Sequence, residues 1–255
     1  MNGEQYWVSR ITPRPDLDYR QIVSLGALDP YGQHQAIWKL FNVAQGERTD
    51  RAAFLFRAEQ RDGLPMFFVI SRRQPQDHAR QWRIETKQYC PDIQAGDRLA
   101  FKLRVNPVVH DKKERTSEEA KRWIARRRNE QRSEKPVTKK RIRHDAVMDA
   151  KTRMGWKDVP ANRRPTLAYL ACEAGACWLR DREERLGCQF DSKVLRVDGY
   201  RTWRLHSRKN IELATLDFEG MLTVTGQQRF LDAVLLGIGP AKAFGCGLLL
   251  VRRIA

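Results

Sequence analysis

The sequence predicts an α+β chain of two units, each an antiparallel sheet with helices on one face. Three observations carry this. Strand-like runs and helical stretches alternate in both parts of the 255 residues, with no close internal repeat. The stretch Cys90-Pro91-Asp92-Ile93-Gln94-Ala95-Gly96-Asp97 reads as a linker between them. Hydrophobic residues make up 41% of the chain, enough for real cores and too many for a disordered polycation. The expected division is residues 1–90, a linker at 91–97, and residues 98–255.

In chain order, residues 5–12 are rich in strand formers and lead into a loop broken by Pro13 and Pro15. A helix is expected to start at Asp29-Pro30, an N-cap residue followed by the residue best tolerated at the first helical position, and to reach about Phe41. Strands are expected at 52–59, 66–71 and 82–88, the first two joined by a turn containing Asp62-Gly63. In the second part a strand at 99–109 enters a basic insert, about residues 110–160. Thr116 and Glu119 form a capping box there, and Ala120, Trp123 and Ile124 follow at helical spacing. A second basic cluster after Pro136 reads as a loop or hairpin arm. A helical stretch at 165–185 has Tyr169, Leu170, Trp178 and Leu179 as its core face, and its acidic residues Asp181, Glu183 and Glu184 are explained by ion pairs with interleaved arginines. Strands at 188–197 and 200–205, two strand-like runs within 211–224, a helix at 227–236 and a last strand at 247–252 complete the chain.

Charge separates the two parts. The chain carries 48 Lys plus Arg against 31 Asp plus Glu, a formal net of +17; residues 1–97 hold +1 of this and residues 98–255 hold +16. Such an excess implies a polyanionic partner, nucleic acid first, because each neutralised phosphate releases condensed counterions. No apolar run approaches the roughly 18 residues of a membrane span, and the start lacks the apolar core of a signal peptide, so a cytoplasmic protein is expected. Five cysteines without a C-x-x-C pair support neither a disulfide framework nor a zinc site, and five histidines form no H-x-x-x-H pair. No metal and no cofactor are expected.

Two constellations bear on chemistry. Within residues 29–41, His34, Ile37, Trp38 and Phe41 fall at i, i+3, i+4 and i+7, so His34 continues an apolar stripe and fits equally a core-edge residue or a proton carrier. Tyr31 lies three residues earlier, about 60° round the helix, so both side chains can reach one phosphate. Lys39 is about 140° from His34 by the same period. RNA transesterification wants such a set: a base for the 2′-hydroxyl proton, an acid for the leaving 5′-oxygen, and a donor or cation for the phosphorane. The second constellation, residues 237–247, has four glycines and Lys242 between a helix and a strand; it is neither a Walker A nor a dinucleotide fingerprint. It fits a close backbone approach to a ligand and a tight connection with a packed Phe244 equally well.

The opening strand, Tyr31-x-x-His34-Gln35-x-x-Trp38-x-Leu40-Phe41, Phe54-Leu55-Phe56-Arg57, Leu103-Arg104-Val105-Asn106-Pro107, Phe218-Glu219-Gly220-x-Leu222-x-Val224 and the run from Gly237 to Leu249 occur in this order. Together they resemble the CasE family of CRISPR-associated endoribonucleases, the type I-E branch of the RAMP superfamily. The likeness covers about two-thirds of the chain and weakens over residues 112–211. It implies two tandem ferredoxin-like (RRM-like) domains in a prokaryotic cytoplasmic enzyme. That enzyme would cut precursor CRISPR RNA at the base of each repeat hairpin without a metal, leave a 2′,3′-cyclic phosphate, and stay on the mature crRNA with the other subunits of a type I-E surveillance complex. The family's catalytic tyrosine and histidine fall on Tyr31 and His34, and a lysine used by some members falls on Lys39. Expected RNA contacts are Lys112, Lys113, Arg126, Arg127, Arg128, Lys139, Lys140, Arg141, Arg143, Gly239, Lys242 and Gly245. The alternative is a non-catalytic structural subunit that only holds the guide RNA hairpin.

Overall fold

In a computed structural model of the chain, the described residues are 5–41, 54–129, 139–205 and 211–254. They fall into two compact units, one of residues 1–107 with 165–255 and one of residues 108–164. In chain order, the first unit opens with β1 (Trp7–Pro13), α1 (Tyr19–Gly26), α2 (Pro30–Trp38), β2 (Phe54–Arg61), β3 (Leu64–Ser71), β4 (Trp82–Gln88) and β5 (Arg98–Val105). The second unit holds β6 (Val108–Glu114), α3 (Ser117–Asn129), β7 (Lys139–Asp145) and α4 (Ala146–Arg153). The first unit then resumes with α5 (Leu167–Arg180), α6 (Glu183–Leu186), β8 (Cys188–Phe190), β9 (Arg196–Leu205), β10 (Ile211–Val224), α7 (Gln227–Leu236), a 3-10 turn at Lys242–Phe244 and β11 (Leu249–Arg253).

The first unit carries two antiparallel sheets with one strand plan. The first runs β2-β3-β1-β4; the second runs β11-β5-β10, with β8 and β9 both pairing β10. Numbered within each half, both read fourth, first, third, second, the order of a ferredoxin-like domain. The first core gathers Ile11, Phe54, Phe56, Phe67, Val69 and Trp82 against Ile37, Leu40 and Phe41 at the end of α2. In the second half Leu103, Leu216, Phe218, Leu222, Leu179, Phe230 and Val234 are buried, and Trp178 stacks on Phe218 at 6.4 Å. Each such side chain contributes about 1.5–3 kcal/mol by leaving water.

A charged cluster ties the two sheets of this unit together. The Asp217 carboxylate on β10 accepts from Arg104 Nε and Nη2 of β5 at 3.0 and 2.9 Å, and forms an ion pair with Arg57 Nη2 of β2 at 3.2 Å. Arg104 Nη1 also donates to the Ala58 carbonyl at 3.1 Å, and Arg57, its side chain 3% exposed, pairs with Glu59.

Several sequence expectations are corrected. The proline-broken stretch contains α1, which starts in a capping box in which Asp18 and Gln21 exchange side-chain-to-backbone bonds. The strand at 99–109 is cut at Asn106-Pro107, where proline has no N–H for the ladder, and the chain leaves the sheet to enter the insert. The helix at 165–185 splits into α5 and α6, and Tyr169 is 58% exposed, not part of the core face. Glu183 accepts from the Phe190 backbone N–H at 2.8 Å, so it serves as a cap as well as a charge. The strand at 188–197 covers only β8 before a turn, and the two runs within 211–224 are one 14-residue strand. The expected arm at 139–143 is β7, paired antiparallel with β6, and α4 follows with Asp145 capping it. Residues 52–53 of one expected strand, and Pro136, lie outside the described residues.

Candidate active site

Helix α2 is set by its ends. Asp29 Oδ1 accepts from the Gly32 N–H at 2.7 Å, Pro30 takes the first helical position, and Gln33 Nε2 donates to the Leu28 carbonyl at 3.0 Å. At the other end Ile37, Leu40 and Phe41 are 1–5% exposed and anchor the helix in the first core. This anchoring turns His34 toward β2. Its ring lies 5.4 Å from Phe54 at an interplanar angle of 29°, 5.8 Å from Trp38 and 6.4 Å from Phe56. His34 Nδ1 is sealed from solvent without a hydrogen-bond partner, and burial lowers the imidazole pKa below 6.5. Tyr31, one turn earlier, is 40% exposed.

Lys39 does not join this pair. It is exposed at the helix end and borders a separate cleft of about 310 Å³ with Gln35, Asp77 and His78.

The glycine-rich run lies against the same helix: the 3-10 turn Lys242–Phe244 packs on α2. Gly239 and Gly245 both have φ of 76°, and a Cβ at Gly245 would stand 3.2 Å from Phe56 Cε2. The loop therefore closes on the ring that also faces His34, and a side chain there would press on it. Lys242 Nζ donates to the Leu236 carbonyl at 2.5 Å, capping α7, and burial lowers its pKa. These contacts join the run tightly to α2, α7 and β2. A cleft of about 660 Å³ beside it is bordered by Gln33, Glu59, Arg104, Trp203 and Phe244.

The second unit collects the basic residues. Lys112, Lys113, Arg126, Arg128, Lys139 and Arg143 are exposed, and Arg127 lies over Trp123 at 5.0 Å, with Arg115 over the same ring at 5.2 Å. Thr116 and Glu119 make the expected reciprocal capping bonds, at 3.2 and 3.3 Å. In the β6–β7 ribbon Lys112 faces Arg141 and Lys113 faces Lys140. Like charges directly opposed destabilise a ribbon, and Lys140 is relieved by pairing with Glu119. The Arg141 side chain lies outside what is described.

The residues the sequence reading missed are Phe54 and Phe56, which seat His34, and the Arg57, Arg104 and Asp217 cluster. The Phe-Leu-Phe-Arg alternation tells which side of the strand each residue takes, but not what that side meets. Among the described residues no three His, Cys, Asp or Glu side chains are grouped as a metal site. No helix among them is long and apolar enough to cross a membrane.

A family model described as CRISPR associated protein matches residues 6–253. The CRISPR system Cascade subunit CasE of Escherichia coli (strain K12) is 29% identical over 227 residues, 87% of this chain and 90% of that protein. The CRISPR-associated endoribonuclease Cse3 of Thermus thermophilus is 26% identical over 229 residues, 88% and 90% of the two chains. Among solved structures, Thermus thermophilus Cse3 bound to an RNA representing a pre-cleavage complex aligns with a TM-score of 0.62 at 22% identity, covering 97% of this chain and 99% of that one. That likeness is one of fold.

Proposed function

The chain belongs to the CRISPR-associated protein family whose model it matches from residue 6 to 253, and on that premise we propose that it is the endoribonuclease that processes CRISPR RNA in a type I-E system. It cuts each repeat of the precursor at the base of a hairpin. It then stays on the mature crRNA beside the other subunits of the surveillance complex. Both curated relatives carry names of this kind, one a Cascade subunit and the other an endoribonuclease.

The observation that carries the cutting role is the placing of His34 and Tyr31. A half-buried imidazole and an exposed phenol stand one turn apart on a helix capped at one end and anchored in the core at the other. In the reaction the ribose 2′-oxygen attacks the adjacent phosphorus, the bond to the 5′-oxygen breaks, and a 2′,3′-cyclic phosphate remains. His34 carries a proton and Tyr31 orients the reacting groups. Lys39, on another side of the helix, is a cation for the RNA backbone near the cut. The basic ribbon and α3 of the second unit grip the hairpin. A-form RNA hides its base edges in a deep, narrow major groove, so these contacts read shape and phosphate.

Incubation of the purified protein with its cognate repeat RNA in EDTA tests this. Cleavage that stops when the cut-site ribose is 2′-deoxy is expected; binding without cleavage would instead make the protein a structural subunit that holds the guide.

A further inference from the structure

We propose that the cleft of about 660 Å³ beside α2 is a binding site for one unpaired nucleotide of the repeat, the nucleotide across the cut from the hairpin, whose base stacks on Trp203 and is read by the open edge of β2. This rests on the nuclease reading above. The cleft has the roughly 300–1,000 Å³ of a small-molecule site. Pro30 and Gln33, next to Tyr31 and His34 on α2, border it, so a chain cut at that pair has its neighbouring nucleotide within reach.

One wall is a stacking platform on β9. Trp203 is partly buried, and its Nε1 donates to Thr215 Oγ1 on β10 at 3.2 Å; Thr215, 5% exposed, donates in turn to the Arg201 carbonyl at 3.4 Å. The indole N–H is thereby engaged inside the protein, and what the ring offers the cleft is its π surface. The Arg201 guanidinium lies over the same ring at 4.8 Å and borders the cleft as well. Aromatic rings and arginine planes are what hold the unstacked bases of single-stranded RNA. A paired base, enclosed in an A-form stack, reaches neither.

A second wall is main chain. Among the described residues β2 ends the first sheet and pairs with β3. Arg104 Nη1 donates to the Ala58 carbonyl, so that carbonyl points away from β3. In an antiparallel strand the N–H and C=O of one residue point the same way and the direction alternates, so those of Gln60 also point outward. Ala58 and Gln60 both border the cleft, and a neighbouring donor and acceptor match the edge of a nucleobase. A peptide strand would need more: Arg104 occupies the edge at Ala58 and β2 ends at Arg61, which leaves a single residue to pair. The carboxylates at the border do not oppose a polyanion, since Glu59 is paired with Arg57 and Asp217 with Arg104.

The test uses the full chain and a repeat RNA with a 2′-deoxy ribose at the cut and 2-aminopurine as the first unpaired base across it. Binding should quench the 2-aminopurine by stacking; Trp203→Leu should abolish the quench and Trp203→Phe should keep it. An abasic site at that position should weaken binding about tenfold or more, the worth of one stacked base. Trp203→Leu should do the same to intact RNA, and the two changes together should cost no more than either alone. The Gln60 amide should exchange its hydrogen more slowly in the intact complex than in the abasic one; equal rates overturn the reading by β2. No quench in the wild-type complex overturns the proposal whether or not Trp203→Leu folds, and so does a quench that survives in folded Trp203→Leu, or losses that add. Because this RNA cannot be cut, the quench is independent of the nuclease reading. A quench with no cutting of the 2′-hydroxyl RNA would remove the nuclease and leave the site; cutting with no quench would remove the site and leave the nuclease.

Discussion

At the scale of single residues, the site is one imidazole whose surroundings do most of its tuning. His34→Ala should lower cleavage by about 10² or more while RNA affinity stays level, the usual worth of a positioned acid or base. Equal losses in the cleavage rate and in a filter-binding isotherm would show the residue to be structural. The buried imidazole also links stability to pH. Its folded pKa lies below 6.5, so the unfolded chain binds the proton more readily. The stability it contributes is whole above pH 6.5 and is lost as pH falls from there through the lower folded value. Melting temperature should drop across that window, and His34→Ala should flatten this part of the curve in a thermal melt. The candidacy of His34 was legible as a stripe position beside Tyr31, because helical period is written in the sequence. Its two phenylalanine neighbours on β2 were not, because no local pattern records which strand a helix will meet.

At the scale of elements, α5 packs closely on its sheet. A Cβ on Gly175 would stand 2.5 Å from Leu216 Cδ2 and 2.7 Å from Val197 Cγ1, so the helix rests almost on the strands. Gly175→Ala should overpack this region and cost about 1–3 kcal/mol, read by chemical denaturation. In the second unit, replacing Arg126, Arg127 and Arg128 by Gln should weaken RNA binding and flatten its log–log salt dependence by up to about 0.9 for each phosphate that is no longer neutralised. An unchanged slope would mean that α3 faces something other than RNA. Elements with capping or alternation signals were read correctly: the box at Thr116 and Glu119, the proline start of α2 and the strand at Trp82–Gln88. α1 carried its own box at Asp18 and Gln21, hidden by the prolines just before it. The length of β10 was not readable, since a strand's end is set by its partners and β9 and β8 share it from one side.

At the scale of the molecule, the two sheets of the first unit are locked by a carboxylate between two guanidiniums. Asp217→Asn would leave Arg57 and Arg104 facing each other with little water to screen them. A loss of about 3 kcal/mol is expected, seen as a lower denaturation midpoint with both cores still formed. The tandem plan was visible in the rhythm of the sequence, but the cluster was not, for its members stand 47 and 113 residues apart along the chain. β2 links the two scales. Phe54 and Phe56 face the histidine, while Leu55 and Arg57, on the opposite side of the strand, meet Gly237 and Asp217. A slip of β2 by one residue against β3 would exchange the two sets. The seat of His34 and the lock between the sheets would then fail in one event, so a molecule able to cut RNA has already certified its own assembly.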